Sequence, residues 1–128
     1  METAIKLQEL LLSIIKSKNN NFFKVPNYIF ELEIFLQKNF SKRISLDELS
    51  TVVNISKFHL EREFKKYTGF SINQYIIELR IQHACFLLSS TNYSIEEISF
   101  KSGFSNYHAF LKLFKKRLGT TPGKYRTN

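Results

Sequence analysis

The chain has a single cysteine, Cys85, in 128 residues, which excludes an internal disulfide and a cysteine-built structural zinc site. Glycine and proline are scarce, at four and two residues, which argues against an all-β or loop-dominated fold. No apolar run approaches the roughly 18 residues needed to cross a bilayer. The opening stretch METAIKLQELLLSIIKSKNNN lacks the basic start, unbroken apolar run and small-residue cleavage site of a secretory leader, so a reducing cytoplasm is the expected compartment. Neither a glycine-rich phosphate loop nor a nucleophile motif occurs. His59, His83 and His108 lack the second-ligand spacing typical of zinc, and His83 and Cys85 would project from different faces of a helix. Cys85 reads as a small core residue. No catalytic residue, metal ligand or cofactor is expected, and an enzyme would be the weakest reading.

What the chain does have is positive charge, aromatic content and a repeat. The formal charge is +8. From Lys42 to Arg126 there are fourteen Lys or Arg against seven Asp or Glu, so seven of the eight excess charges fall there. Such an excess favours a polyanionic partner, nucleic acid or acidic membrane, without choosing between them.

Residues 4 to 16 place Ala4, Leu7, Leu11, Ile14 and Ile15 at helical spacing, and KSKNNNFFKVPN then breaks the pattern as a linker would. A second amphipathic helix follows in YIFELEIFLQKNF, with Ile29, Leu32, Phe35 and Leu36 on one face and Asn27 as expected N-cap. The expected division is therefore an N-terminal piece at 1–24 and a main domain at 25–128.

The main domain is internally duplicated. SLDELSTVVNIS at 45–56 aligns with SIEEISFKSGFS at 94–105, and HLEREFKKYTGFS at 59–71 with AFLKLFKKRLGTT at 109–121. The first offset is 49 and the second 50, so the second copy carries one extra residue. Each copy opens with a capping-box pattern, Ser45 with Glu48 and Ser94 with Glu97. Each is interrupted at a residue that tolerates positive φ, Asn54 or Gly103, and resumes at Ser56 or Ser105. The second helices end at Gly69 and Gly119, after which Ser71 and Thr121 start new helices, with Pro122 at a first helical position. INQYIIELRIQHACFLLSS between the copies reads as one long helix burying Ile72, Ile76, Leu79, Ala84, Leu87 and Leu88. The expected fold is all-α: two helix–turn–helix subdomains, homeodomain-like repeats at 42–70 and 91–128, joined by a long central helix at 71–90.

One such motif is weak support for DNA binding, but two on a rigid spacer are better. A joining helix of about 17 residues spans on the order of 25 Å, against the ~34 Å between successive major-groove faces. In the first copy Leu60, Phe64 and Tyr67 should point inward, and Lys57, Phe58, Glu61, Arg62 and Lys65 outward. In the second, Phe110 and Phe114 turn inward while Tyr107, His108, Leu111, Lys112 and Lys115 face out. Arg62 can donate to guanine, Glu61 can accept from cytosine, and Phe58 or Leu111 can touch a thymine methyl. Lys57, Lys65, Lys66, Lys115, Lys116 and Arg117 suit phosphates. Plainer roles stand beside these. Arg62 could serve as an ion-pair residue, Phe58 and Tyr107 as core, Glu61 as the helical partner of Lys57 and Lys65, His59 as a structural or phosphate-contacting group, and the Lys-Lys pairs as a solvated face.

The run FLKLFKKRLGTTPGKYR at 110–126, preceded by Gly103-Phe104, resembles the C-terminal signature of the AraC/XylS family of bacterial transcription regulators. SKFHLEREFKKYTGFSINQYI at 56–76 is similar to the first repeat of the family's small stand-alone activators, and the likeness extends over residues 42 to 126. It implies two reading helices entering adjacent major-groove segments of promoter DNA, base contacts from Phe58, Glu61, Arg62, Tyr107, His108 and Lys112, and activation through RNA polymerase. Arg80 falls at a family position that looks structural. Ala109 stands where an aromatic is common and Lys112 where arginine is common, so the second unit is expected to read fewer bases. The resemblance also makes residues 1–24 the expected end of a sensor or dimerisation domain, through which any small-molecule effector would act, with the chain itself a monomer or weak dimer; the family's stand-alone members leave the opposite reading, without such a domain, open. The rival is a helical module whose basic faces dock an acidic protein or membrane, which segment 4–16 would serve.

Overall fold

The computed structural model describes residues 25–128. The expected helix at 4–16, and with it the piece at 1–24, lies outside the described residues. Among the described residues the structure is helical throughout: α1 (Asn27–Asn39), α2 (Leu46–Val53), α3 (Lys57–Thr68), α4 (Ile72–Ser90), α5 (Ile95–Lys101), α6 (Tyr107–Leu118) and α7 (Pro122–Thr127).

Local chemistry sets most of the boundaries. Ser45, Ser56, Ser71, Ser94 and Thr121 each accept a hydrogen bond from the backbone N–H three residues on, satisfying one of the orphan donors of a helix start. The reciprocal half of the box is missing at Ser45 and Ser94; it is complete only at Ser71, where the Gln74 side chain accepts from the Ser71 N–H at 2.9 Å. Two further starts differ from expectation. α1 begins at Asn27 behind Pro26, whose carbonyl accepts from the Ile29 N–H. α6 is capped by Asn106, not Ser105, through Asn106 Oδ1 accepting from the Ala109 N–H at 2.9 Å.

That last difference places the extra residue of the second copy. The turns match in their bonding: Ile55 N–H donates to Ser50 O at 3.1 Å, and Phe104 N–H to Ser99 O at 3.0 Å. The caps that follow are Ser56 and Asn106. Ser105 is thus the inserted residue, between a turn that keeps the first offset and a helix that keeps the second. Asn54 is left-handed at φ 57°, as the turn requires.

The apolar residues form two cores. The first gathers Ile29, Leu32, Leu36, Leu49, Leu60, Phe64 and Tyr75; the second gathers Ile81, Ala84, Cys85, Leu88, Ile98, Phe110 and Phe114. α4 contributes its first turns to one and its later turns to the other, so the same helix closes both units. Leu79, expected to be buried, is half-buried at the boundary. In each unit one aromatic pair recurs at an offset of 50. Phe64 meets Tyr75 edge-to-face at 5.5 Å and 89°, and Phe114 meets Tyr125 at 5.7 Å and 84°, the arrangement that ring quadrupoles favour. The phenylalanine of each FKK run is thus the bolt between the second helix of its motif and the helix that follows.

Two arginines close the carbonyl ends of helices. Arg80 Nε donates to Phe40 O at 2.7 Å and its Nη2 to Lys42 O at 3.1 Å, just past the end of α1. Arg126 does the same at the end of α4, reaching Leu88 O and Thr91 O at 3.2 and 3.3 Å. Both place a cation where the helix dipole is negative and unpaired carbonyls remain. Gly103 seals the first of these joints. A Cβ there would stand 2.7 Å from Arg80 Nε, 2.8 Å from Phe40 O and 2.9 Å from the Ser41 Cα, at a φ of 104°. The turn of the second unit is therefore pressed onto the α1–α2 loop of the first, with Arg80 between them.

Glu33, on α1, is a buried carboxylate that apolar periodicity did not reveal. Gln37 Nε2 donates to Glu33 Oε1 at 2.9 Å and to the Tyr75 hydroxyl at 3.2 Å. Burial raises the Glu33 carboxyl above its ordinary value, with the hydrogen bonds from Tyr75 and Gln37 opposing the shift. A raised carboxyl holds its proton longer in the folded chain, so stability falls as pH climbs from the unfolded value through the folded one. Glu33→Gln is expected to flatten that slope, checked by denaturant unfolding across acidic to neutral pH; an unchanged slope would contradict it.

Gly103→Ala should destabilise the fold more than Gly69→Ala. Both residues have positive φ, costing about 1–2 kcal/mol for a side chain, but nothing lies within 4 Å of a Cβ at Gly69. Thermal unfolding of the two variants makes the comparison, and equal losses would count against the packed joint.

Candidate nucleic-acid interface

α3 presents one face of its first two turns to solvent. Phe58 is 86% exposed, an unusual position for a phenylalanine on a helix whose other side, Leu60 and Phe64, is fully buried. Arg62 is exposed and Glu61 half-buried beside it. With Leu46 and Lys57 they line one shallow depression. Of the two readings open for Phe58, core or outward contact, the structure takes the outward one.

Neighbours orient this set. Arg62 Nη2 lies 3.2 Å from His59 Nδ1, and His59 Nε2 lies 3.6 Å from Glu63 Oε1. A guanidinium can only donate, so His59 Nδ1 accepts and its proton sits on Nε2, facing Glu63. His59 is therefore the residue that holds Arg62 in place. Its i, i+3 spacing to Arg62 carried that signal in the sequence. Lys57 pairs with Asp47 Oδ1 at 2.9 Å rather than with Glu61, tying the start of α3 to the first turn of α2. Among the described residues Glu61 enters no ion pair.

α6 is built alike and exposes less. Phe110 and Phe114 are fully buried, as the spacing predicts, but Tyr107 and Leu111 pack half-buried against the second core instead of standing outward. The reason is the hydrophobic rim beside them, where Phe104 meets Phe110 at a tilt with ring centroids 4.9 Å apart and an apolar face draws in its neighbours. His108 and Lys112 remain exposed, with the His108 ring 5.7 Å from Tyr107.

The basic residues also separate. Lys65, Lys112, Lys115 and Lys116 are exposed and enter no ion pair among the described residues. Lys66 lies 3.9 Å from Glu63 and over the Tyr67 ring at 5.2 Å. Arg117 differs from the phosphate role expected of it: its guanidinium pairs with the buried Glu78 of α4. Burying Glu78 unpaired would be costly, and Arg117 is the cation within reach. The residue thus fastens α6 to the central helix. Cys85 is buried in the second core, and burial pushes its thiol upward against the opposing Tyr125 hydrogen bond, which keeps it protonated and inert.

Comparison with known proteins places this architecture. The family model described as "Helix-turn-helix domain" matches residues 49–128. The chain belongs to the AraC/XylS family of transcription regulators and carries its helix–turn–helix DNA-binding domain. It is 33% identical over 115 residues to the HTH-type transcriptional activator AarP of Providencia stuartii, spanning 90% of this chain and 84% of AarP. An AraC-type transcriptional regulator from Chromobacterium violaceum superposes with a TM-score of 0.73 at 31% identity, over 79% of this chain and 90% of that one. The DNA-binding domain of AdpA, solved in complex with a target DNA, superposes at 0.73 with 25% identity, over 77% and 89%. The chain spans less than half of some longer curated relatives. One of these, from Bacillus subtilis, is named as a bifunctional transcriptional activator and DNA repair enzyme and is matched over 44% of its length.

Phe58→Ala is expected to leave the melting temperature almost unchanged, since an exposed substitution usually stays within about 0.5 kcal/mol. Phe114→Ala should cost about 3–5 kcal/mol. A large loss for Phe58→Ala would mean that Phe58 packs in the fold.

Proposed function

We propose that the chain binds promoter DNA sequence-specifically, with α3 and α6 inserted into adjacent major-groove segments. The observation that carries this is the exposed face of α3, where an 86% exposed phenylalanine adjoins an oriented arginine and a carboxylate. It sits on one of two similarly built units joined through α4.

In this reading the first unit supplies most of the sequence information. Arg62 donates two bonds to guanine, Glu61 accepts from cytosine N4, and Phe58 contacts a thymine methyl. His108 and Lys112 read in the second unit. Tyr107 is half withdrawn and makes at most an edge contact. Lys57, Lys65, Lys66, Lys115 and Lys116 neutralise phosphates, which fixes register without specifying bases. Arg117 is left out of this set because Glu78 holds it.

Activation is the favoured sign of regulation, supported by AarP, which is named as an activator, with RNA polymerase as the protein partner that the family likeness implies. The cytoplasm is the compartment such a regulator needs. Membrane docking is the weaker alternative, because its support was segment 4–16; among the described residues no helix is long and apolar enough to cross a membrane.

Selection of bound sites from random DNA tests the proposal. Enrichment of a bipartite motif, with half-sites about one helical turn apart, is the expected outcome; enrichment of nothing would end it. Arg62→Ala should then lose about 1–3 kcal/mol of discrimination at a single base pair. An equal loss on every sequence would remove Arg62 from the readers. Lys115→Ala should weaken all sequences alike and reduce the salt slope by about one.

A further inference from the structure

Between the two units lies a cleft of about 430 Å³, lined by Ser41, Arg43, Ile44, Arg80, Phe104 and Ser105 among others. No carboxylate lines it. Arg43 is exposed, and among the described residues neither Arg43 nor Arg80 forms an ion pair. The two hydrogen bonds that Arg80 makes go to neutral carbonyls, Phe40 O and Lys42 O, through Nε and Nη2, so no carboxylate neutralises its charge and its third nitrogen is left to donate elsewhere. Two guanidiniums, two serines and no acid make a site that favours an anion.

Position narrows the kind of anion. Ile44 also lines a second depression that includes Leu46 and Glu61, and Leu46 and Glu61 line a third together with Phe58 and Arg62. The three depressions share residues and form one track. It starts at the reading face of α3, passes the cleft, and reaches Ser105, the residue before the cap of α6. An elongated polyanion lying across both reading helices would follow that track.

We propose that the Arg43–Arg80 cleft seats a backbone phosphate of the DNA strand that runs between the two major-groove segments. The inference rests on the DNA-binding reading and adds a contact that specifies no base. Arg43 supplies the exposed cation, Arg80 the one fixed by its backbone hydrogen bonds, and the Ser41 and Ser105 hydroxyls can donate to the remaining oxygens. A phosphate held there, midway between the readers, fixes the path of the duplex between the half-sites.

Methylphosphonate scanning of the selected site tests this, with each phosphate between the half-sites neutralised in turn, for the wild-type chain, Arg43→Ala and Arg43→Lys. Wild type should lose affinity several-fold at one phosphate or two adjacent ones. Arg43→Ala should be weaker on every sequence, with a salt slope shallower by about 0.9, and should show a much smaller loss at that same phosphate. Arg43→Lys should restore most of the slope. Arg43 is exposed, so melting should not change. If Arg43→Ala remains as sensitive as wild type at every linking phosphate, the cleft is not a phosphate seat. If the wild-type chain selects no sequence, the DNA-binding reading itself fails, a result distinct from the first.

Discussion

The placing of one unit against the other depends on the contact of Arg80 with the carbonyls of Phe40 and Lys42. Each unit has its own core and could hold its own exposed helix. What relates α3 to α6 is α4 together with the joint at its middle, where Gly103 of the second unit presses on Arg80 and on the Phe40–Ser41 backbone of the first. The joint is polar, and polarity makes it a better locator than an apolar contact would be. Directional hydrogen bonds fix a rotation about a helix, whereas apolar contact tolerates sliding. Desolvation lowers the pKa of the Arg80 guanidinium from its ordinary value, yet arginine remains charged at any physiological pH. The clamp is therefore insensitive to pH where a lysine would not be.

The duplication explains why the two halves look alike and also where they part. The bolt of each unit keeps its geometry, Phe64 on Tyr75 and Phe114 on Tyr125, as do the turn hydrogen bonds. Apart from the inserted Ser105, divergence is greatest at the exposed rims. The first unit exposes Phe58 and orients Arg62 with His59; the second withdraws Tyr107 and Leu111 toward its core and leaves His108 and Lys112 outside. Two exposed faces of unequal character follow from one scaffold, and under the proposed function the second would grip a duplex more than it discriminates.

Much of this was legible in the residues, and the exceptions share a cause. Helix starts could be read because a serine or threonine cap works within three residues. The inward positions Leu60, Phe64, Phe110 and Phe114 could be read because helical period alone sets them. The start of α6 was misplaced by one residue because Ser105 and Asn106 are both good caps, and only the path of the turn chooses between them. Arg117 and Glu33 were not legible: their partners, Glu78 and Tyr75, lie 39 and 42 residues away in sequence, and no local period reports such a pair. The half-withdrawal of Tyr107 is of the same kind, decided by Phe104 and the second core. Chemistry carried by neighbours was visible, and chemistry carried across the fold was not. Lys57 shows how close the two can lie, since Asp47 is only one turn-and-helix away and still displaced the local partner Glu61.

The central claim is that two readers are held at one fixed separation and rotation. It is tested most directly by binding the chain to a series of duplexes in which the spacer between the half-sites is lengthened or shortened one base pair at a time. A single sharp optimum, with affinity falling toward that of one half-site about half a helical turn away from it, is what a rigid joint requires. Affinity that varies little with spacer length would mean that the units move independently and that the Arg80 joint does not set their geometry.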